Sequence, residues 1–156
     1  MNAKIPDEIS ARKQILYGVS LLIGISDEAF GLLARLASES RVSAGHVIVH
    51  QGDPGTKLFI IVKGEVRVLR QSRHGDVEVA RMKEGDFFGE MCVLERLPRS
   101  ASVHAVTETR LVLLSYAAFD ILFEQMPQEH HRVLSNIARS LSARLRDLGD
   151  EFALRS

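Results

Sequence analysis

Two hydrophobic rhythms divide this chain. Over residues 27–38 apolar positions recur at Phe30, Leu33, Ala34 and Ala37, the spacing of one helical face, and Ser26 followed by Asp27 and Glu28 supplies an N-cap and an acidic first turn. From about Val42 the pattern shortens. β-rich runs at 47–50, 58–63, 66–70, 77–82, 102–106 and 111–115 alternate with the turn signals Gly52-Asp53-Pro54-Gly55, Lys63-Gly64, His74-Gly75-Asp76 and Glu84-Gly85-Asp86. Many short strands with glycine corners predict a closed antiparallel roll or barrel. After Ser115 the helical period returns, first in a short amphipathic piece over 116–125 that Pro127 ends or kinks, then in a longer helix over about 128–148.

The longer helix carries Leu134, Ala138, Leu141, Leu145 and Leu148, with Phe152 at the same spacing, in alternating steps of four and three. Such steps are a heptad seam. It can pack on the chain's own roll or on a second copy, which makes a homodimer through this helix an expectation. At the other end, the apolar run 15–25 follows Arg12 and Lys13. At 11 residues with two glycines it is too short to span a bilayer, and it lacks the small-residue cleavage site of an export signal, so a helix end and loop packed on the fold is expected.

Composition narrows the partners. Lys plus Arg number 20 and Asp plus Glu number 20, so no global basic field exists to hold nucleic acid by charge alone. With 46% hydrophobic and 26% charged residues, a length of 156 suits one domain with one real core. The single cysteine, Cys92, excludes an intrachain disulfide and makes no zinc site by itself, which fits a reducing cytoplasm. No membrane association is expected.

The chemistry concentrates in residues 88–103, FGEMCVLERLPRSASV. Gly89 admits close backbone approach, because no Cβ stands in the way. Residues 90–94 suit one or two helical turns whose first N–H groups lack internal partners and favour an anion. Arg99 offers a fixed charge and a planar fork of donors matched to phosphate oxygens. Glu90 repels phosphate and instead suits a sugar hydroxyl. Together they form a cassette for a sugar-phosphate anion such as a cyclic nucleotide; the plainer alternative, a surface Glu90–Arg99 ion pair, is worth at most about 1 kcal/mol.

On these residues the chain resembles the cyclic nucleotide-binding domain family, which includes catabolite activator proteins, regulatory subunits of cyclic-AMP-dependent kinase and cyclic-nucleotide-gated channels. The resemblance covers about residues 15–148, with Gly89, Glu90 and Arg99 at the diagnostic positions. It implies a single domain over 1–156, an α+β fold in which a jelly-roll-like antiparallel β-roll (about 42–115) is flanked by N-terminal helices (about 8–40) and C-terminal helices ending in a long one (about 116–149). It gives the ribose hydroxyl to Glu90 and the cyclic phosphate to Arg99, helped by the backbone N–H groups of Cys92 and Ser100, with Met91 and Ala101 also in the ligand set. A hydroxyl residue at Ser100 is associated with tolerance of or preference for cyclic GMP, so cAMP and cGMP both remain ligands. Many members carry glycine in mid-cassette where this chain has Glu95-Arg96-Leu97, a change that stiffens or reshapes the loop. In such domains the last helix closes over the purine. Here that implies an apolar lid from Leu148, with Met82 and Val68 lining the base site, or alternatively Arg144 or Arg146 stacking on the purine.

The expected function is a cyclic nucleotide sensor that signals through movement of its C-terminal helix to a downstream protein, without catalysis and without a cofactor. The alternatives are a ligand-sensing fragment of a larger transcription factor, channel or kinase regulator, and a degenerate module that only dimerises. No room for a helix-turn-helix follows the long helix before Ser156, so DNA binding by this chain alone is not expected. Other motifs give little. Residues 52–57 lack the spacing of a phosphate loop and are a turn. His130 and His131 point about 100° apart on a helix and are poor joint metal ligands. Cys92 beside a helix N-terminus invites a lowered thiol pKa, although a small packing role is the stronger reading. No hydrolase or zinc-protease motif is present, and nothing argues for an enzyme.

Overall fold

Ser26 accepts a hydrogen bond from the Ala29 N–H at 3.2 Å and thereby starts helix α2 (Asp27–Leu36) in a computed structural model that describes residues 4–155. Helix α1 (Lys4–Tyr17) and a single 3-10 turn (Ser20–Leu22) precede it, which makes the apolar run 15–25 a helix end and loop; Leu16, Val19, Leu21 and Leu22 are buried there. No helix is long and apolar enough to cross a membrane among the described residues.

Eight strands follow: β1 (Ser38–Val42), β2 (Val47–Val49), β3 (Lys57–Lys63), β4 (Glu65–Ser72), β5 (Gly75–Lys83), β6 (Phe87–Phe88), β7 (Ser102–Ala105) and β8 (Thr109–Ser115). They form two antiparallel four-stranded sheets, ordered β1-β8-β3-β6 and β2-β7-β4-β5. Two of these strands lie outside the sequence reading. β1 has the sequence SESRV and follows α2 at once, so α2 stops two residues short of the expected Ser38. It is an edge strand, paired only with β8, and needs no alternating apolar face.

β3 ties the molecule together. Leu58 and Ile60 face a cluster with α2 and the C-terminal helices, while Phe59 and Ile61 face the interior of the roll with Val66, Phe88, Val103 and Leu111. All four are at most 6% exposed, so this strand is buried on both faces. The two cores thus share one strand.

Helix α3 (Tyr116–Gln125) is capped by Ser115, and α4 (Pro127–Arg155) begins at Pro127. Proline is suited to a first helical position, where its missing N–H has no intrahelical partner to lose, so Pro127 opens α4 rather than kinking a continuous helix. α4 runs past the expected end at 148. Its first half is fixed to the body: Val133 and Ile137 are buried, Asn136 donates to the carbonyls of Leu21 and Ile23 at 2.8 and 2.9 Å, and Glu129 accepts from the Ser26 N–H at 2.8 Å. The inward face therefore centres on Val133 and Ile137, beside the seam read from the sequence. From Arg144 onward the described side chains are exposed, Leu145 by 70% and Leu148 by 61%.

Candidate functional site

Gly89 closes β6 with φ +85° and starts a 3-10 turn over Glu90–Val93. A Cβ there would lie 2.5 Å from the Lys57 carbonyl oxygen and overlap the Arg99 guanidinium. Glycine is thus demanded by the chain's own packing, in addition to any ligand. The loop then returns through Pro98 to Arg99 and enters β7.

Arg99 is held from two sides. Its Nη2 donates to the Lys57 carbonyl at 2.7 Å, and its guanidinium carbon lies 5.5 Å from the centre of the Phe59 ring. Its backbone is strapped to the 52–55 turn: Arg99 N–H donates to the Asp53 carbonyl at 2.7 Å, Gly52 N–H to the Arg99 carbonyl at 2.9 Å, and Gly55 N–H to the Leu97 carbonyl at 3.2 Å. That turn is no phosphate loop, as its spacing predicts, yet it aims the key cation. Arg99 Nε is buried without a hydrogen-bond partner. Burial pulls the Arg99 pKa down, opposed by the charge sites at Cys92, Asp53 and Glu90. An anion paired with the guanidinium would offset that penalty.

Glu90 opens the 3-10 turn with a side chain only 12% exposed. Its Oε1 accepts from Arg144 Nη1 of α4 at 2.9 Å. The Cys92 N–H, one of the two backbone donors implied for phosphate, is turned to the Gly89 carbonyl at 3.2 Å.

These groups surround a cavity of about 330 Å³, at the lower end of the range for small-molecule sites. Val68, Met82, Gly89, Glu90, Met91, Cys92, Arg99, Ser100 and Ala101 all line it. Leu148 does not: it lies a turn beyond Arg144, which reaches the cavity instead. Val49, Val103 and Leu97 add apolar side chains to the lining. Sequence reasoning did not find Val49 or Val103, whose only signal is inward position on β2 and β7.

Cys92 is buried, and burial pushes its thiol up to about 11, with the nearby Arg99 charge opposing. The lowered thiol pKa entertained from its place at a helix start is therefore overturned; desolvation outweighs so short a turn. Arg96, within the Glu95-Arg96-Leu97 stretch, pairs with Asp120 of α3 at 2.9 Å and stands over the Tyr116 ring at 4.0 Å, anchoring the loop. No group of three or more potential metal-ligating His, Cys, Asp or Glu side chains occurs among the described residues.

Known proteins share this architecture. The family profile for the cyclic nucleotide-binding domain matches residues 39–126. A cGMP-dependent protein kinase of Caenorhabditis elegans is 33% identical over 104 residues, 67% of this chain and 13% of the kinase. A CRP-like cAMP-activated global transcriptional regulator of Mycobacterium tuberculosis is 29% identical over 145 residues, 92% of this chain and 62% of the regulator. The chain thus spans less than two thirds of either relative. Among solved structures, a cyclic nucleotide-binding domain from Methylobacillus flagellatus superposes with a TM-score of 0.78 at 27% identity, covering 96% of this chain and 85% of that one. The catabolite activator protein of Thermus thermophilus gives 0.74 at 32% identity, over 86% of this chain and 62% of its own.

Proposed function

The chain belongs to the cyclic nucleotide-binding domain family, and from that premise we propose that it is a sensor of cAMP or cGMP whose activity is binding, without catalysis. The observation that carries this reading is the pair Arg99 and Glu90 on one cavity, the first with a buried, unpartnered Nε and the second with a nearly buried carboxylate. Arg99 takes the cyclic phosphate, and Glu90 accepts from the ribose 2′-hydroxyl. Val68, Met82 and Val103 give the flat base an apolar wall. The neighbouring Ser100 permits either purine.

The signal leaves through α4. Its first half is fixed to the body and its second half is exposed, with Arg144 on the cavity, so a ligand that binds one α4 position better shifts the population of that position. The receiver is a downstream protein or a further part of a longer chain, since this chain matches only 13% of the kinase and 62% of the transcriptional regulator to which it is similar. In this reading the sensor works in the cytoplasm. The exposed Leu145 and Leu148 favour a second, compatible role for α4 in homodimerisation.

The test is isothermal titration of the protein with cAMP and with cGMP, with Arg99→Ala as the control. Micromolar or tighter binding that the variant loses supports the sensor, and the ratio of the two affinities names its ligand. No binding to either nucleotide would move the function to dimerisation or scaffolding.

A further inference from the structure

Glu90 already has a partner. Arg144 of α4 lines the cavity and donates to Glu90 Oε1 at 2.9 Å, although the two residues are 54 positions apart. Arg99, the other cation of the site, is turned to the Lys57 carbonyl instead. The carboxylate assigned to a sugar hydroxyl is therefore claimed by the helix assigned to report binding. Beyond Ile137 no α4 side chain is buried among the described residues, and Arg144 ties this outer part directly to the cassette.

We propose that Arg144 is a positioning residue that competes with the ligand's 2′-hydroxyl for Glu90, tying the distal half of α4 to the cassette until a nucleotide binds and setting how strongly the hydroxyl counts in recognition. This inference rests on the sensor reading above. The chemistry is an exchange of donors on one acceptor. A hydroxyl that takes Glu90 Oε1 replaces a guanidinium, and the released Arg144 returns to water, where it is already 56% exposed and cheaply hydrated. A ligand without that hydroxyl leaves the tie intact. The distal helix is then freed only by a ribonucleotide, which joins ligand identity to the moving part.

A second cassette tie provides the comparison. Arg96 pairs with Asp120 of α3 at the same 2.9 Å, but neither residue lines the cavity. Losing that pair removes an ion pair without freeing Glu90.

The experiment compares the full chain with Arg144→Ala, Arg144→Lys and Asp120→Asn. Alanine is the strongest helix former, so the first change leaves α4 able to form. Hydrogen exchange is read over residues 144–155 without ligand, and affinity is read for the tighter-binding cyclic nucleotide and for its 2′-deoxy analogue. Arg144→Ala is expected to speed exchange in this segment and to tighten the ribonucleotide about two- to fivefold, the worth of a partly exposed ion pair, while leaving the 2′-deoxy affinity unchanged. Arg144→Lys restores part of both effects, and Asp120→Asn reproduces neither. Unchanged exchange overturns the proposal. So does equal tightening of both ligands, which marks a steric gate, or weaker binding, which marks Arg144 as a ligand contact. A wild-type chain that takes neither nucleotide overturns the sensor reading and the competition with it, and the ligand-free exchange then tests the tie to α4 alone.

Discussion

Arg99 donates its Nη2 to the main-chain carbonyl of Lys57 at 2.7 Å, so the cation of the cassette is oriented by strand β3 and not by an acidic side chain. A carbonyl orients a guanidinium without neutralising it. An acidic side chain in that place would cancel much of the field that the cavity offers an anion.

Removing this charge should be the most damaging change at the site. Arg99→Ala is expected to cost about 2–4 kcal/mol of cyclic nucleotide affinity, the loss of a charged hydrogen-bonding partner. Arg99→Lys restores the charge but not the fork that reaches Lys57 and ligand together, so it recovers only part of the loss. Calorimetric titration of the two variants checks both, and an unchanged affinity in Arg99→Ala would remove the cassette reading.

Glu90→Gln should weaken binding less than Arg99→Ala, because an amide still accepts from a hydroxyl. Its clearer effect is on selectivity: discrimination against 2′-deoxy ligands is blunted. The same substitution also weakens the Arg144 tie, which offsets part of the affinity loss. Competition between ribo- and deoxyribonucleotide for the variant measures this directly.

Gly89→Ala tests the backbone. At φ +85° an L-residue is strained, and the new Cβ would stand 2.5 Å from the Lys57 oxygen. Stability should fall by about 2 kcal/mol or more, read by urea denaturation, with a parallel loss of ligand affinity as Arg99 is displaced. Alanine tolerated on both counts would show that the loop relaxes more easily than its contacts indicate.

The Cys92 thiol offers a pH test. Burial raises its pKa from 9.0 to about 11, so the folded state resists losing this proton. Stability from this group is complete below pH 9, where both states hold the proton, and declines as pH rises towards 11, because the unfolded chain ionises first. Cys92→Ala should flatten that alkaline decline. At pH 8 native Cys92 should alkylate roughly a hundredfold more slowly than in denaturant, since the thiolate fraction falls by that factor.

Leu145 and Leu148 test the seam. Both are exposed in the single chain, by 70% and 61%, so Leu145→Glu with Leu148→Glu should leave monomer stability within about 0.5 kcal/mol of wild type. If α4 pairs two copies, the same double change yields a monomer by light scattering, whereas a wild type that is already monomeric ends the dimer reading.

The sequence exposed what depends on local chemistry. Ser26 and Ser115 announce α2 and α3 because a cap needs only a hydroxyl near the N–H groups two or three residues ahead. Gly89, Glu90 and Arg99 were legible because their residue types are few and their spacing short. β1 was not, since an edge strand covered on one side can be written as polar SESRV. The role of Arg144 was half legible. Its charge was visible as an option beside Leu148, but whether a leucine or an arginine one turn earlier reaches the cavity depends on how α4 rests on Leu21, Ile23 and Ser26. Those contacts join residues more than 100 positions apart. The strap from Asp53 to Arg99 is equally silent in the sequence, because main-chain carbonyls carry no side-chain signature.

Burial of β3 on both faces separates grip from report. Segments open in order of how little they bury, so the outer turns of α4 fray first and β3 opens only with the whole molecule. Lys57, Phe59 and the arginine they steer therefore belong to the last part of the protein to melt, and the messenger to the first. A chain trimmed within its final helix would keep its hold on an anion and lose its voice.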